Sequence, residues 1–561
     1  MKKFTFPVLV SLISLFLAKT AFSQVTIVNG TKVRPQVKEK EAKIVRQRCT
    51  TMEVMEEAIR KNPSLVEEWR IEGERQYQLY LQRSQSGQRG QRIQADPIII
   101  PIVFHLVDAA ASVAGITDRD IYEQVEILNQ DFSGAKIVQY LKVIPPEIAA
   151  RIGNINVKFV LARRDPSGNL TSGIERRINA TPSHVDIKSN ATGGLDAWDV
   201  TKYVNVWAGT FSGADAGLLG VATFPFTGAS EGAQGVVVGI GTLPYTSPTT
   251  RGYYPTYSEG ATLSHEIGHY FYLFHTFGDL TSCNNQDFRL QSGWPLPTGA
   301  GPEGDDTPEE RAGPGNAYFG NPSMDYSDGC STFPFGMMYG AFMNYFDDRA
   351  LFMFSDGMRK RVEGCINLYR AGLLTSNGAT PPSAVTDAFL VNVSSRGLPE
   401  RRAFVVNNTP FQAQVRNSGT TTLTSVTVNV KIDAAAATPT VFPLSLAPGR
   451  DTLLNLPAIS GASGNHTYLV YTTAPNAGTD NFLNNDTLNS YYFIHPGTAT
   501  LPLNEDFTSA TFPPTNWVIW NPNGGANTWT RSGTSGFTSA GSAFYDNYNI
   551  NQGGTLDELI T

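Results

Sequence analysis

Residues 265–275 read HEIGHYFYLFH. His265 and His269 stand four apart, so on an α-helix they share a face and can aim at one point. Glu266 projects beside them, its carboxylate free to reach a water. Two neutral imidazoles on one helical turn with a base alongside is the spacing a zinc site needs. His275 comes six residues after His269, far enough for the helix to end and a third ligand to swing round. Three protein ligands leave the fourth zinc position open, as in a catalytic rather than a structural site. Only seven histidines occur in the chain, and three crowd this stretch around one glutamate. That density separates it from a buried helix that happens to carry histidines.

Outside this segment, the 561 residues are too many for one core, and about three or four domains are expected. The 41% hydrophobic content is that of a globular chain, and the net charge of −7 gives no footing for a nucleic-acid partner. Residues 1–23 read as a signal peptide: Lys2 and Lys3, an apolar run over 6–17, then Ala21, Phe22 and Ser23 as a cleavage site. The run is too short to span a membrane, and no later run approaches twenty apolar residues. Export to the medium or the cell surface is expected, with no membrane span. Cys49, Cys283, Cys330 and Cys365 would then lie where disulfides form.

Residues 24–95 are expected to be a pro-segment. After Cys49, apolar positions at Met52, Met55, Ala58 and Ile59, then Leu65, Trp69, Ile71 and Tyr77, recur with helical period on either side of Asn62 and Pro63. SQSGQRGQRIQAD (84–96) is an exposed linker open to proteolysis, with Arg89 and Arg92 as candidate activation sites. Folded character resumes at Pro97. PIIIPIVFHLV is a buried strand, and ITDRDIYEQVEILNQDF is a helix capped by Thr117. VKFVLA, YVNVW and GVVVGI are further strands, and Ser258 or Thr262 would cap the histidine helix. Strands and helices packed on one sheet make residues 96–375 an α+β domain. The stretch 280–340 is rich in Gly, Pro, Asp and Asn, and needs pinning, for which a Cys283–Cys330 disulfide is expected. A helix follows from Phe354 to near Leu374, and SNGATPPSA (376–384) reads as a linker.

Residues 384–497 switch to period-2 strands such as FQAQVRN, LTSVTVNVKID and TYLVYTT, separated by Gly, Asn and Pro turns. That pattern is a β-sandwich, and it resembles immunoglobulin-like, cell-adhesion-type domains. Residues 498–561 open another β-rich module, which resembles the jelly-roll adhesin-like modules of secreted bacterial proteins and is expected to be incomplete.

HEIGHYFYLFHTFGD, followed by AFMNYFDDRALFMFSDGMRKRV, resembles the pappalysin family of metzincin metallopeptidases. Metzincins carry HExxHxxGxxH and a downstream Met-turn. The FMNY at Met343 matches the turn because the sequence after it leads into the family's C-terminal helix, whereas the earlier MDY at Met324 does not. The resemblance covers roughly 98–374. It implies a mixed twisted sheet, an active-site helix, a Met-turn and a C-terminal helix. It also implies zinc on His265, His269 and His275, Glu266 as general base, Met343 beneath the metal and Tyr345 near the oxyanion. RCTTMEVMEE resembles the pro-segments of bacterial members, which makes Cys49 a latent-state zinc ligand; pairing with Cys365 is the other use of that thiol. Cys283 and Cys330 match a family disulfide, while Ala350 occupies one expected position of a second. Asp305 and Asp306 lie in the loop where some relatives bind calcium, as carboxylates suit; a solvated acidic turn is the plainer alternative. His105 and His184 are expected to be structural.

Two positions depart from the family. Tyr272 stands where metzincins have a turn glycine, at a cost of about 1–2 kcal/mol if φ is positive. Arg349 follows the Met-turn where members preferring basic residues after the scissile bond carry an acid, so that preference is not carried over. The expected activity is zinc-dependent endoproteolysis of proteins or peptides by a monomer made as a latent zymogen. The competing reading is a surface adhesin with a degenerate peptidase domain. A third, a zinc peptidase without a Met-turn, would replace His275 by a downstream glutamate.

Overall fold

A computed structural model describes residues 26–28, 31–33, 49–68, 71–75, 78, 97–136, 144, 146–180, 182–225, 231–244, 254, 257–277, 307–308, 310, 330, 337–394, 402–495, 505–515, 517–520, 527–536, 541–546 and 558–560. The chain divides into two compact units, Met1–Val45 and Arg46–Thr561. In the first, residues 26–28 pair antiparallel with 31–33. Residues 1–23, expected as a signal peptide, lie outside the described residues.

The second unit opens with helix α1, Thr51–Lys61, which stops at Asn62 before the proline. The α+β region is built on strand β1, Ile98–Asp108, whose apolar run is buried almost throughout. Its first half pairs in parallel with β2, Val157–Leu161, and its second half with β3, Ile174–Ile178. On the other side β1 pairs with β4, Val204–Gly209. Beyond β4 the sheet continues through β5, Gly220–Ala222, and β6, Val236–Gly239, in the order β2-β1-β4-β6-β5. β6 runs parallel to β4, whereas β5 is antiparallel and forms the edge. A central parallel sheet needs both faces covered, which explains why β1, β4 and β6 are buried almost continuously rather than at alternate residues.

Helix α2, Asp118–Ser133, starts at a capping box made by Thr117 and Asp120 and ends at left-handed Gly134. It buries Ile121, Val125 and Leu128 against the sheet beside the histidine helix α3, Ala261–Tyr270. Every residue of α3 is buried. Neither Ser258 nor Thr262 caps it: its N-cap is Gly260, with φ of 85° and no side-chain bond. The cap comes from a distance, with Asp348 Oδ2 accepting from the backbone N–H groups of Glu259 at 3.0 Å and Ala261 at 3.2 Å. Helix α4, Asp356–Tyr369, is capped by Ser355, and a 3-10 turn over Ala371–Thr375 completes the region.

Residues 376–384 are no free linker. Gly378 O accepts from the N–H groups of Arg163 at 2.8 Å and Arg164 at 3.0 Å. The sandwich that follows has two sheets. One is β7, Ala388–Ser394, with β9, Thr409–Asn417, and β12, Asp451–Ile459; the other holds β8, Arg402–Val406, with β10, Leu423–Ile432, β11, Thr438–Leu446, β13, Gly464–Thr473, and β14, Thr487–His495. Phe389 of β7 does not join the sandwich core. It belongs to the core of the α+β region, with its ring centroid 5.2 Å from that of Tyr122. Beyond residue 505 two short antiparallel ladders are described, 518–520 with 558–560 and 530–532 with 542–544.

Candidate active site

On α3 the spacing of four puts His265 and His269 on one face, and the chain then reverses to bring in His275. The three Nε2 atoms form a triangle with edges of 3.1, 3.1 and 3.0 Å. His265 Nδ1 faces the Phe342 carbonyl at 2.7 Å, and His269 Nδ1 faces the Leu273 carbonyl at 2.7 Å. A carbonyl only accepts, so both Nδ1 atoms carry hydrogen and their Nε2 lone pairs point inward. Lone pairs packed this closely repel unless a cation sits among them. Tetrahedral zinc with bonds of about 2.0–2.1 Å wants nitrogen–nitrogen edges of about 3.3 Å, so the triangle is a slightly contracted zinc cradle. Burial and the neighbouring His275 hold the His269 imidazole well below its usual pKa, hence neutral and ligand-competent.

The reversal happens at Tyr272, which adopts φ of +75°. Neither of the expected escapes, a bend elsewhere or a displaced third histidine, is taken. The tyrosine occupies the glycine conformation itself and is fully buried, stacked edge-on to Phe224 and Phe274, with the Arg361 guanidinium 5.3 Å from its ring. Its N–H donates to His269 O at 2.9 Å, closing the turn.

Met343 lies beneath the histidines, fully buried. Its sulfur packs so closely under α3 that a Cβ at Gly268 would sit 2.4 Å from it. Its carbonyl accepts from Thr276 N at 3.2 Å, tying the third-histidine segment to the turn. Tyr345 stands with its ring 4.7 Å from His275 and 5.8 Å from His265.

Glu266 is fully buried. It lies against edge strand β5, and a Cβ at Gly220 would approach its carboxylate to 2.5 Å. The residues before α1 close over it. Thr51 Oγ1 donates to Glu266 Oε2 at 3.1 Å, and the Cys49 thiol faces the same oxygen at 3.6 Å. The Cys49 sulfur and the three histidine nitrogens all lie within 4.8 Å of one another. Burial, then the Glu266 charge, push the Cys49 thiol well above its usual pKa. The segment is held by backbone as well: Cys49 bridges Gly220 in parallel, Thr50 N donates to Gly220 O at 3.2 Å, and Ala222 N donates to Thr51 Oγ1 at 2.8 Å. The Tyr345 hydroxyl donates to Cys49 O at 3.3 Å. Next to this lid, α1 and residues 221–224 line a groove of about 1090 Å³.

Sequence reasoning missed two supports. Glu310, fully buried, accepts from Thr276 Oγ1 at 2.8 Å, Asn344 Nδ2 at 2.9 Å and Met338 N, so it bolts His275's neighbour to the Met-turn. It is no substitute ligand, since it lies outside the His/Cys cluster. Asp131 of α2 accepts from Ser264 Oγ at 2.6 Å, and burial lifts its carboxyl to about 6. Thr51 was also unforeseen. Glu310 and Asp131 carry no periodic or motif signal; Thr51 lies within RCTTMEVMEE but has no diagnostic type.

Cys49 and Cys365 are free buried thiols, so they do not pair. Cys330 is disulfide-bonded, and Cys283, its expected partner, lies outside the described residues. So do Asp305, Asp306, Met324, Arg89, Arg92 and the Arg349 side chain. His105 is structural: it bonds Glu175 and Asn205 and stacks on Trp207. His184 pairs with Asp215 at 2.8 Å.

The peptidase M43 family model, described as pregnancy-associated plasma protein-A, matches residues 189–362, a span holding all three histidines, Glu266 and Met343. Those residues form a pappalysin-family metallopeptidase domain. An extracellular metalloprotease of Verticillium alfalfae is 26% identical over 237 residues, covering 42% of this chain and 71% of that protein. Mature mirolysin of Tannerella forsythia, solved with a cleaved peptide, is 28% identical, covering 50% of this chain and 96% of that one, with a TM-score of 0.41. A promirolysin mutant from the same organism is 25% identical, with coverage of 58% and 97% and a TM-score of 0.44. The matched domain is that of a metalloendopeptidase. Among its described helices none is long and apolar enough to cross a membrane.

Proposed function

We propose that the chain is a secreted zinc endopeptidase that is made latent and acts on protein or peptide substrates. The observation carrying this reading is the Nε2 triangle of His265, His269 and His275 with Glu266 buried beside it. When bound there, zinc supplies a Lewis acid that lowers the pKa of its water to about 7 and polarises a carbonyl. Glu266 takes the proton of the attacking water and delivers it to the leaving amine. The Tyr345 hydroxyl, once released from Cys49 O, donates to the oxyanion. Substrate lies extended along β5, replacing the backbone bonds now made by Thr50, as strand addition provides. Cys49 holds the histidines closed in the precursor, and Thr51 occupies Glu266. The leader over residues 1–23 and the extracellular relative support export.

The alternative, an adhesin with a degenerate peptidase domain, rests on Tyr272 and on the C-terminal β-domains. Its weight drops because the left-handed tyrosine leaves all three rings convergent. The deciding experiment removes the pro-segment and compares the parent with Glu266→Ala in casein cleavage and zinc content. The variant is expected to keep its zinc and to lose about 10²–10⁴-fold in rate. Full activity in a zinc-loaded Glu266→Ala protein would discard the proposal, as would a chelator without effect on the parent.

A further inference from the structure

Three carboxylates are packed together in a cluster separate from the histidines, where the sandwich meets the catalytic sheet. Asp387 immediately precedes β7, while Asp480 and Asp486 bracket the DNFLNND connection between β13 and β14. One oxygen of each lies within 4.8 Å of the others. The residues are only 0%, 6% and 5% exposed. The one cation paired with them among the described residues is Arg163, which donates to Asp387 Oδ2 at 2.7 Å. One guanidinium faces three carboxylates, so ionising all three calls for further positive charge.

Hydrogen bonds do not absorb the deficit. Asp480 accepts from Ala388 N and Phe482 N, each at 2.8 Å, and Asp387 accepts from Asn485 Nδ2 at 2.9 Å. Oδ1 of Asp486 is buried without a hydrogen-bond partner, and so is Oδ1 of the fully buried Asn485. Native interiors rarely leave such oxygens unmatched unless an ion or water completes them. With no ion present, burial and the neighbouring aspartates push Asp486 up to about 8, and burial lifts Asp387 to about 6.

We propose that Asp387, Asp480 and Asp486 form a divalent-cation site, occupied by calcium, that fastens the sandwich to the catalytic region. Calcium follows from the donors: all are hard oxygens, in a cluster with no imidazole or thiolate to prefer zinc. The ion would join the start of β7 to the 480–486 connection. Through Arg163 it would join both to the end of β2. Nearby, Asn484 already donates to Asp118, and Arg119 donates to the carbonyls of Leu390 and Val391. The site is independent of the peptidase chemistry.

The test titrates CaCl2 into the full zinc-loaded chain after calcium removal, and follows heat and melting temperature. The parent is compared with Asp486→Asn and with Asp480→Asn/Asp486→Asn. The double variant should bind one calcium fewer per chain and lose the calcium-induced rise in melting temperature. Asp486→Asn, which keeps most ligands and guards against misfolding of the double variant, should bind about tenfold more weakly. Without calcium it should melt no lower than the parent, since it removes an uncompensated charge. If either variant keeps the parent's stoichiometry, affinity and calcium-induced rise, the site is refuted. A parent that binds no calcium refutes it equally.

Discussion

Tyr272 shows how one residue can break a motif and keep its geometry. A non-glycine residue at positive φ costs about 1–2 kcal/mol. Removing a buried aromatic side chain costs about 3–5 kcal/mol. Packing therefore wins, and Tyr272→Gly, which restores the family residue, is expected to lower stability by about 1–4 kcal/mol. Chemical denaturation with zinc held constant measures this; a gain in stability would show that strain dominates. Asp131 makes a pH prediction. Its folded pKa, about 6, is raised above the ordinary carboxylate value near 3.8. Between these values the folded state holds a proton the unfolded state has lost, so stability falls as pH rises from about 4 to about 6 and is level above. The shift corresponds to roughly 3 kcal/mol. Asp131→Asn should remove that slope, read as the difference between parent and variant unfolding curves across this range. At this scale the sequence was most legible where helical spacing forces convergence, as for His265 and His269. It was silent on Glu310, whose partners, Thr276, Met338 and Asn344, lie 28–34 residues away.

Elements were legible in proportion to their length and patterning. β1 and α2 announce themselves by an apolar run and a capping box. β5 is three residues, GVA, with no alternation to read, yet it is the edge on which Cys49 and Thr50 lie. The start of α3 was misread because its cap comes from Asp348, in contact only after folding. Asp348→Ala should therefore cost about 1 kcal/mol, typical of a lost cap, together with some zinc affinity, because α3 presents two of the three imidazoles. Unchanged melting and zinc retention would mean the cap is dispensable. On β5, Gly220→Ala would drive a methyl into Glu266, whose carboxylate leaves 2.5 Å. The expected result after pro-segment removal is a fall in turnover larger than the fall in stability.

At the level of the whole molecule, latency and assembly both depend on contacts between segments far apart in sequence, which spacing alone does not reveal. Residues 49–51 cover the site in three ways: a thiol at the histidines, a hydroxyl on Glu266, and backbone on β5. Cys49→Ala removes one of these, so the intact variant chain should show partial peptide hydrolysis where the intact parent shows none; adding Thr51→Val should raise it further. Equal silence in all three chains would mean the backbone contacts suffice. At the other end, Glu126 pairs with Arg416 of the sandwich, and Phe389 packs at a tilt against Tyr122. That aromatic ring works as a keystone borrowed from the next module. A peptidase trimmed back to residue 375 would face water with an empty socket, so the shortest soluble fragment expected from limited digestion is one that keeps the first sandwich strand.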